Sequence, residues 1–158
     1  MKSLCVLGTI GFALLVLLWS CYQKEVPTAF YKDRGEAASD GAMSRGWIPE
    51  FLPNSATNIC EQHDIDTNRG AIAFSASPQE LRTLKATLEP VNTTIPSSDA
   101  LGPWFVPTFE QWPTYLRRKN VHMLVKNGFN ICKKVDTRTS TVWYIALNLN
   151  QGIAFTWH

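Results

Sequence analysis

Asp64, Asp66 and Asn68 place oxygen-bearing side chains at alternate positions, the spacing of the first half of a calcium loop. The pattern then breaks. Arg69 stands where the sharp turn requires glycine, Gly70 comes one residue late, and Ser75 occupies the position of the bidentate carboxylate. A cation beside the site and the missing carboxylate both weaken binding. The same residues suit a hairpin turn closed by Asx hydrogen bonds, which the sequence favours over a metal.

His63 is the histidine with acidic neighbours, and pairing with Asp64 or Asp66 would give acid–base chemistry. Cys60 with His63 suggests a nucleophile and its base. If 56–63 is a strand, however, residues three apart point to opposite faces and the two cannot meet. His122 and His158 have no partner nearby in sequence. A hydrolase would need a non-local site near His63, since triads are assembled by geometry. No motif fixes a reaction or requires a cofactor, so the reading leans towards a non-catalytic role.

Charge is more informative in its distribution than in its total of +2. Residues 22–116 hold seven basic and twelve acidic groups, a net −5. Residues 117–138 hold Arg117, Arg118, Lys119, Lys126, Lys133, Lys134 and Arg138 against Asp136 alone. Such a cluster could face lipid headgroups, a cell-wall polymer or an acidic protein surface. Lys133 and Lys134 point to opposite sides of a strand, and edge lysines also deter unwanted strand pairing. Residues 139–158 carry no Asp, Glu, Lys or Arg, which marks them as largely buried or apposed to a partner.

These residues need a scaffold, and the chain supplies it after an apolar start. Ser3 to Gln23 is uncharged between Lys2 and Lys24. At about 1.5 Å per residue it reaches roughly 31 Å as a helix, enough to span a bilayer core. Leu18-Trp19-Ser20-Cys21 resembles a bacterial lipobox, with Cys21 as the lipidated residue if cleavage occurs. Residues 1–23 are therefore a membrane anchor or a lipoprotein signal, and 24–31 a tether. With Lys2 held inside, residues 22–158 face outward, where nucleic acid is not an expected partner. Cys60 and Cys132 then form a disulfide candidate closing a long loop, worth about 4 kcal/mol. Two separate buried thiols fit equally well.

Within 32–158 the periodicities predict one α+β domain. Lys32–Met43 has helical character ending at Gly41, and the two prolines of 45–53 exclude a helix interior there. Residues 56–63 and 70–76 alternate as strands. Ser77-Pro78-Gln79-Glu80 then starts a helix, with Leu81, Leu84 and Leu88 as its apolar stripe. Residues 91–107 read as a loop, and Phe109, Trp112 and Leu116 suggest a short helix. Asn127-Gly128 predicts a hairpin between strands 121–126 and 129–135. Residues 141–148 and 152–157 form another, with 152–157 a candidate for an unpaired edge. Trp47, Trp104 and Trp112 lie in proline-containing segments, where aromatics plug core rims or meet ligands. The expected architecture is a mostly antiparallel sheet of about six strands. One main amphipathic helix packs on one face, with one or two short helices besides.

Arg45-Gly46-Trp47-Ile48-Pro49, Leu52-Pro53 with Ser55-Ala56, and His63-Asp64 with Asp66-Thr67-Asn68 follow one another in order. Together they resemble an uncharacterised family of small membrane-anchored bacterial envelope proteins, over roughly residues 30–88. The resemblance implies an envelope location and brings no catalytic residue. The sequence thus reads as a membrane-anchored envelope domain acting as an interaction or accessory module, with another envelope protein or an anionic envelope component as partner. The alternatives are an anionic-ligand binder through residues 117–138 and a small hydrolase near His63.

Overall fold

A computed structural model describes residues 27–66, 68–91, 121–137 and 139–158. The anchor segment with Cys21, the loop and short helix expected within 92–120, and Arg117, Arg118, Lys119 and Arg138 lie outside the described residues. Among those described, no helix is long and apolar enough to cross a membrane.

The chain enters as β1 (Thr28–Asp33) and turns directly into the short helix α1 (Arg34–Ser39). Asp33 caps that helix by accepting a hydrogen bond from the Glu36 amide at 3.0 Å. Asp40 closes it, and Gly41 adopts the left-handed φ of +80° that the stop requires. The loop through Ala56 leads to the hairpin β2 (Thr57–Asp64) and β3 (Arg69–Ser75). The helix α2 (Pro78–Ala86) follows with the expected cap: the Ser77 hydroxyl accepts from the Glu80 amide at 3.2 Å. A two-residue strand β4 (Glu89–Pro90) completes this half. The second half holds α3 (Val121–Lys126), β5 (Asn130–Asp136), β6 (Thr141–Asn148) and β7 (Ile153–Trp157).

All pairings are antiparallel, and the described sheet has seven strands in the order β1-β2-β3-β7-β6-β5-β4. Two meanders meet where β7 pairs with β3. The segment 152–157, a candidate for an open edge, is therefore interior to the sheet. The edge strands are instead β1 and the two-residue β4, and β1 begins inside the expected tether. Its inward residue is Tyr31, while Phe30 is 60% exposed. That reversed pattern concealed the strand.

Residues 121–126 are helical, not the first arm of a hairpin. Asn127-Gly128 ends that helix: Gly128 has φ +84°, and the Phe129 amide returns to the Leu124 carbonyl at 3.0 Å. Left-handed φ at the glycine is what both a primed turn and this helix stop demand, so the dipeptide alone cannot tell them apart.

Both sheet faces bury apolar side chains, contrary to the one-sided packing expected. On the first, Ile59, Ile72, Phe74, Trp143, Ile145 and Leu147 pack with Ala37 of α1, Ile48 and Leu52 of the loop, and Leu81 and Leu84 of α2. On the second, Cys60, Ala71, Ala73, Ile131, Ala146 and Trp157 pack with Leu124 of α3. No long amphipathic helix packs on the sheet among the described residues. α2, expected as the main one, has nine residues.

Cys60 and Cys132 are both buried free thiols. Cys60 pairs with Ala73 on the second face, whereas Cys132 pairs with Ile145 on the first. Three strands also separate theirs, a span of roughly 19 Å at the usual strand spacing. The disulfide reading is thereby corrected: a bridge tolerates Cα atoms no more than about 7 Å apart.

Candidate functional site

Strand register gathers the chemistry at one end of the first face. His63 on β2 lies opposite Gly70 on β3, whose carbonyl accepts from the His158 amide at 3.0 Å. Beyond His158, Trp143 on β6 lies opposite Lys134 on β5. These five positions form one row across the sheet. Glycine makes room in it, because a Cβ on Gly70 would fall 2.9 Å from His158 Nε2. The His158 imidazole thus fills the gap that Gly70 leaves.

One step along β2 from His63, Glu61 points into the same face and is 2% exposed. It lies opposite Ile72. Its Oε1 and the Nδ1 of His63 are buried without a hydrogen-bond partner. Burial pushes the Glu61 carboxyl up to about 7; Arg45 opposes that rise and Asp40 adds to it. Burial likewise lowers His63, against the pull of Asp64, and lowers His158 to about 4 with the neighbouring His63 contributing. Below about pH 7 the carboxyl keeps its proton, and above about pH 4 the His158 imidazole is neutral.

The roof over this cluster comes from β1, the end of α1 and the 42–56 loop. The Tyr31 hydroxyl donates to Asp40 Oδ2 at 2.9 Å, and Arg45 donates to the same oxygen at 2.8 Å. These two donors hold the Asp40 carboxyl low, while burial and then the Asp40 hydrogen bond push Tyr31 up to about 12. Arg45 also donates to the Asp40 carbonyl at 2.8 Å and sits 4.1 Å above the Trp47 ring. Trp47 in turn stacks on His63 with centroids 4.8 Å apart. At the other end of the row, Trp143 meets His158 at 4.2 Å and the edge of Phe51 at 6.0 Å. Trp47 therefore caps the cluster from inside the fold.

Phe51 and Lys134 are the shared wall of two open clefts. One, of about 300 Å3, also includes Arg34, Asn54, Glu80 and Thr87. The other, of about 420 Å3, also includes Glu50, Val135 and Asp136. Lys134 Nζ lies 5.8 Å from the Phe51 ring. Arg34 is committed to shaping the loop, donating to the Leu52 carbonyl at 2.9 Å, the Glu50 carbonyl at 3.1 Å and Asn54 Oδ1 at 2.6 Å.

The sequence-predicted residues separate here. Cys60 faces away from His63, and burial raises its thiol to about 12, out of nucleophilic range. Asp64 Oδ1 accepts from the Asp66 amide at 2.9 Å and Asn68 has φ +51°, the arrangement of an Asx turn. No group of three His, Cys, Asp or Glu is placed to hold a metal among the described residues. Lys133 pairs with Glu89 at 3.2 Å on the second face, whereas Lys134 lies on the first and Lys126 ends α3. The described lysines of the basic cluster do not form one patch.

Glu61, His158, Tyr31, Asp40 and Arg45 are absent from the sequence-based site. One signal for Glu61 was available: in a strand containing Ile59, positions 61 and 63 share its inward face. A carboxyl and an imidazole there are polar groups aimed into a core.

No curated protein and no solved structure matches the chain. Residues 25–75, which cover β1 to β3 and include Tyr31, Asp40, Arg45, Trp47, Glu61 and His63, match the YbbD head domain, a bacterial family.

Proposed function

We propose that this chain is a bacterial envelope domain that works by binding another envelope protein, using the two clefts beside Phe51 and Lys134. The observation that carries this reading is their shared wall. An aromatic ring and a cation lie side by side between open grooves of about 300 and 420 Å3. An extended partner segment laid across both would rest an apolar side chain on Phe51 and set an acidic one against Lys134. The family match and the apolar residues 3–23 support the envelope setting and a membrane-held chain. The acidic contact retains what the anionic-ligand alternative offers, concentrated at Lys134. The buried cluster beneath serves to fix the loop that carries Phe51.

The test is site-specific photo-cross-linking in the cell from Glu50, Asn54 and Thr137 around the clefts, with Gln79 and Arg82 on α2 as controls. One defined envelope protein, captured from the cleft positions only and lost with Phe51→Ala or Lys134→Glu, is the expected result. Equal capture from the α2 controls, or capture insensitive to both substitutions, would refute the binding surface.

A further inference from the structure

Glu61 is buried, carries an oxygen with no partner, and lies near Arg45, the guanidinium that ties the start of the 42–56 loop to Asp40, while Arg34 holds the loop's far end. A neutral carboxylic acid tolerates such a place at modest cost, whereas a carboxylate without a hydrogen bond or cation does not. Every element around it offers a definite group. β1 presents Tyr31, whose hydroxyl is given to Asp40. The end of α1 presents Asp40 itself, which repels an anion. β3 presents Ile72, and β7 presents Thr156, whose hydroxyl donates to the Tyr144 carbonyl at 2.9 Å. His63 follows on the same strand, with Asp64 acting on it and His158 beyond. Arg45 is the cation that acts on Glu61, and it is bound to Asp40.

We propose that Glu61 is a pH latch for the 42–56 loop: protonated, it leaves Arg45 on Asp40 and Trp47 seated on His63; ionised, it draws Arg45 away and loosens the loop. The proton lost goes to solvent. The coupling is mechanical. Arg45 lies 4.1 Å from the Trp47 ring, and Trp47 lies 4.8 Å from His63, so a guanidinium drawn off Asp40 towards Glu61 also gives up its seat on the ring that covers His63. Phe51 is on the same loop and walls both clefts. The latch therefore deepens the binding reading above, on which its functional meaning rests, by making the shape of the clefts depend on pH near neutrality.

The sign follows from the carboxyl, pushed up to about 7 in the closed state. If opening restores the ordinary value near 4.5, the open fraction of the loop rises roughly tenfold between about pH 6 and 8.

Hydrogen exchange of peptides covering 42–56 in the full-length chain, corrected for intrinsic chemical exchange, reads this directly. Protection should fall roughly tenfold over that range in the wild type and stay level in Glu61→Gln. The histidines are common to both proteins, so the comparison isolates Glu61. A level wild-type profile, or an equal fall in Glu61→Gln, would overturn the latch. The infrared band of a protonated carboxyl gives a second reading on the wild type alone, in case the variant does not fold. Its loss must coincide with loop opening, and opening at a different pH rejects the proposal. No partner enters either measurement, so the latch and the binding surface fail independently.

Discussion

Gly70 and His158 share one volume: the Cβ that glycine lacks would lie 2.9 Å from the imidazole Nε2. The space belongs to a ring because a hydrogen was left where a methyl group would go. Gly70→Ala should therefore push the imidazole away from His63 and Trp143. The obstacle is the end of a side chain that can swing aside, so the loss of stability should be about 1 kcal/mol. The more specific result is in the titration: freed from burial, His158 should rise from about 4 towards the ordinary histidine value. Imidazole chemical shifts followed against pH would show it, and an unmoved His158 titration would contradict the shared-volume reading.

Stability against pH should show two opposed slopes. Folded Glu61 holds its proton up to about pH 7, while the unfolded chain releases it near 4.5. Its contribution is thus complete below 4.5 and lost as pH rises to 7, a difference of at most about 3 kcal/mol. His158 acts the other way. Its contribution is complete above 6.5 and lost as pH falls to about 4. Across about pH 4.5–6.5 the two nearly cancel, because the folded chain simply keeps on a carboxyl the proton that the unfolded chain keeps on an imidazole. Urea unfolding of the full-length chain should show only a gentle rise in that window, since the lowered His63 adds to the slope of His158. Glu61→Gln should leave a curve rising with pH, and His158→Gln a falling one.

Gly128→Ala should cost about 1 kcal/mol or more, since φ is +84° there and the residue ends α3. Space is not the reason: the nearest atom to an added Cβ, Asn148 Nδ2, would be 3.7 Å away. Urea midpoints of the two proteins check this, and exchange at the Phe129 amide should rise as the helix end frays.

Cys60 and Cys132 should resist a thiol reagent in the folded protein and react together on unfolding. Burial raises both thiols, Cys60 to about 12. Peptide mapping after alkylation without a reductant should find both modified only in denaturant. A peptide pair that needs reduction before labelling would contradict the two-faced placement.

What the sequence made legible was local. The Ser77–Glu80 cap, the alternation in 56–63 and 70–76, and the pair 141–148 and 152–157 all state their structure within a few residues. β1 did not, because its inward face holds Ala29 and Tyr31 while Phe30 points out. Asn127-Gly128 did not either, because the left-handed glycine serves both a tight hairpin turn and a helix stop. The site was the least legible part. Glu61 and His63 are neighbours on a strand, but Asp40 and Arg45 reach them through a folded loop, and His158 arrives by sheet pairing from the far end of the chain. Contacts formed by register across β3 and β7 leave no trace in any short window.

The strand order has a consequence for biogenesis. A chain that emerges amino end first delivers β1, β2 and β3 as one ribbon and β5 with β6 as another, each with a bare inner edge. The strand that joins them, β7, comes after the other described strands. Two open edges wait for one late insert, and until it arrives either can recruit the same ribbon from a neighbouring chain. The sheet is an arch whose keystone is set last, and the interval before it is set is when the nascent domain most needs guarding.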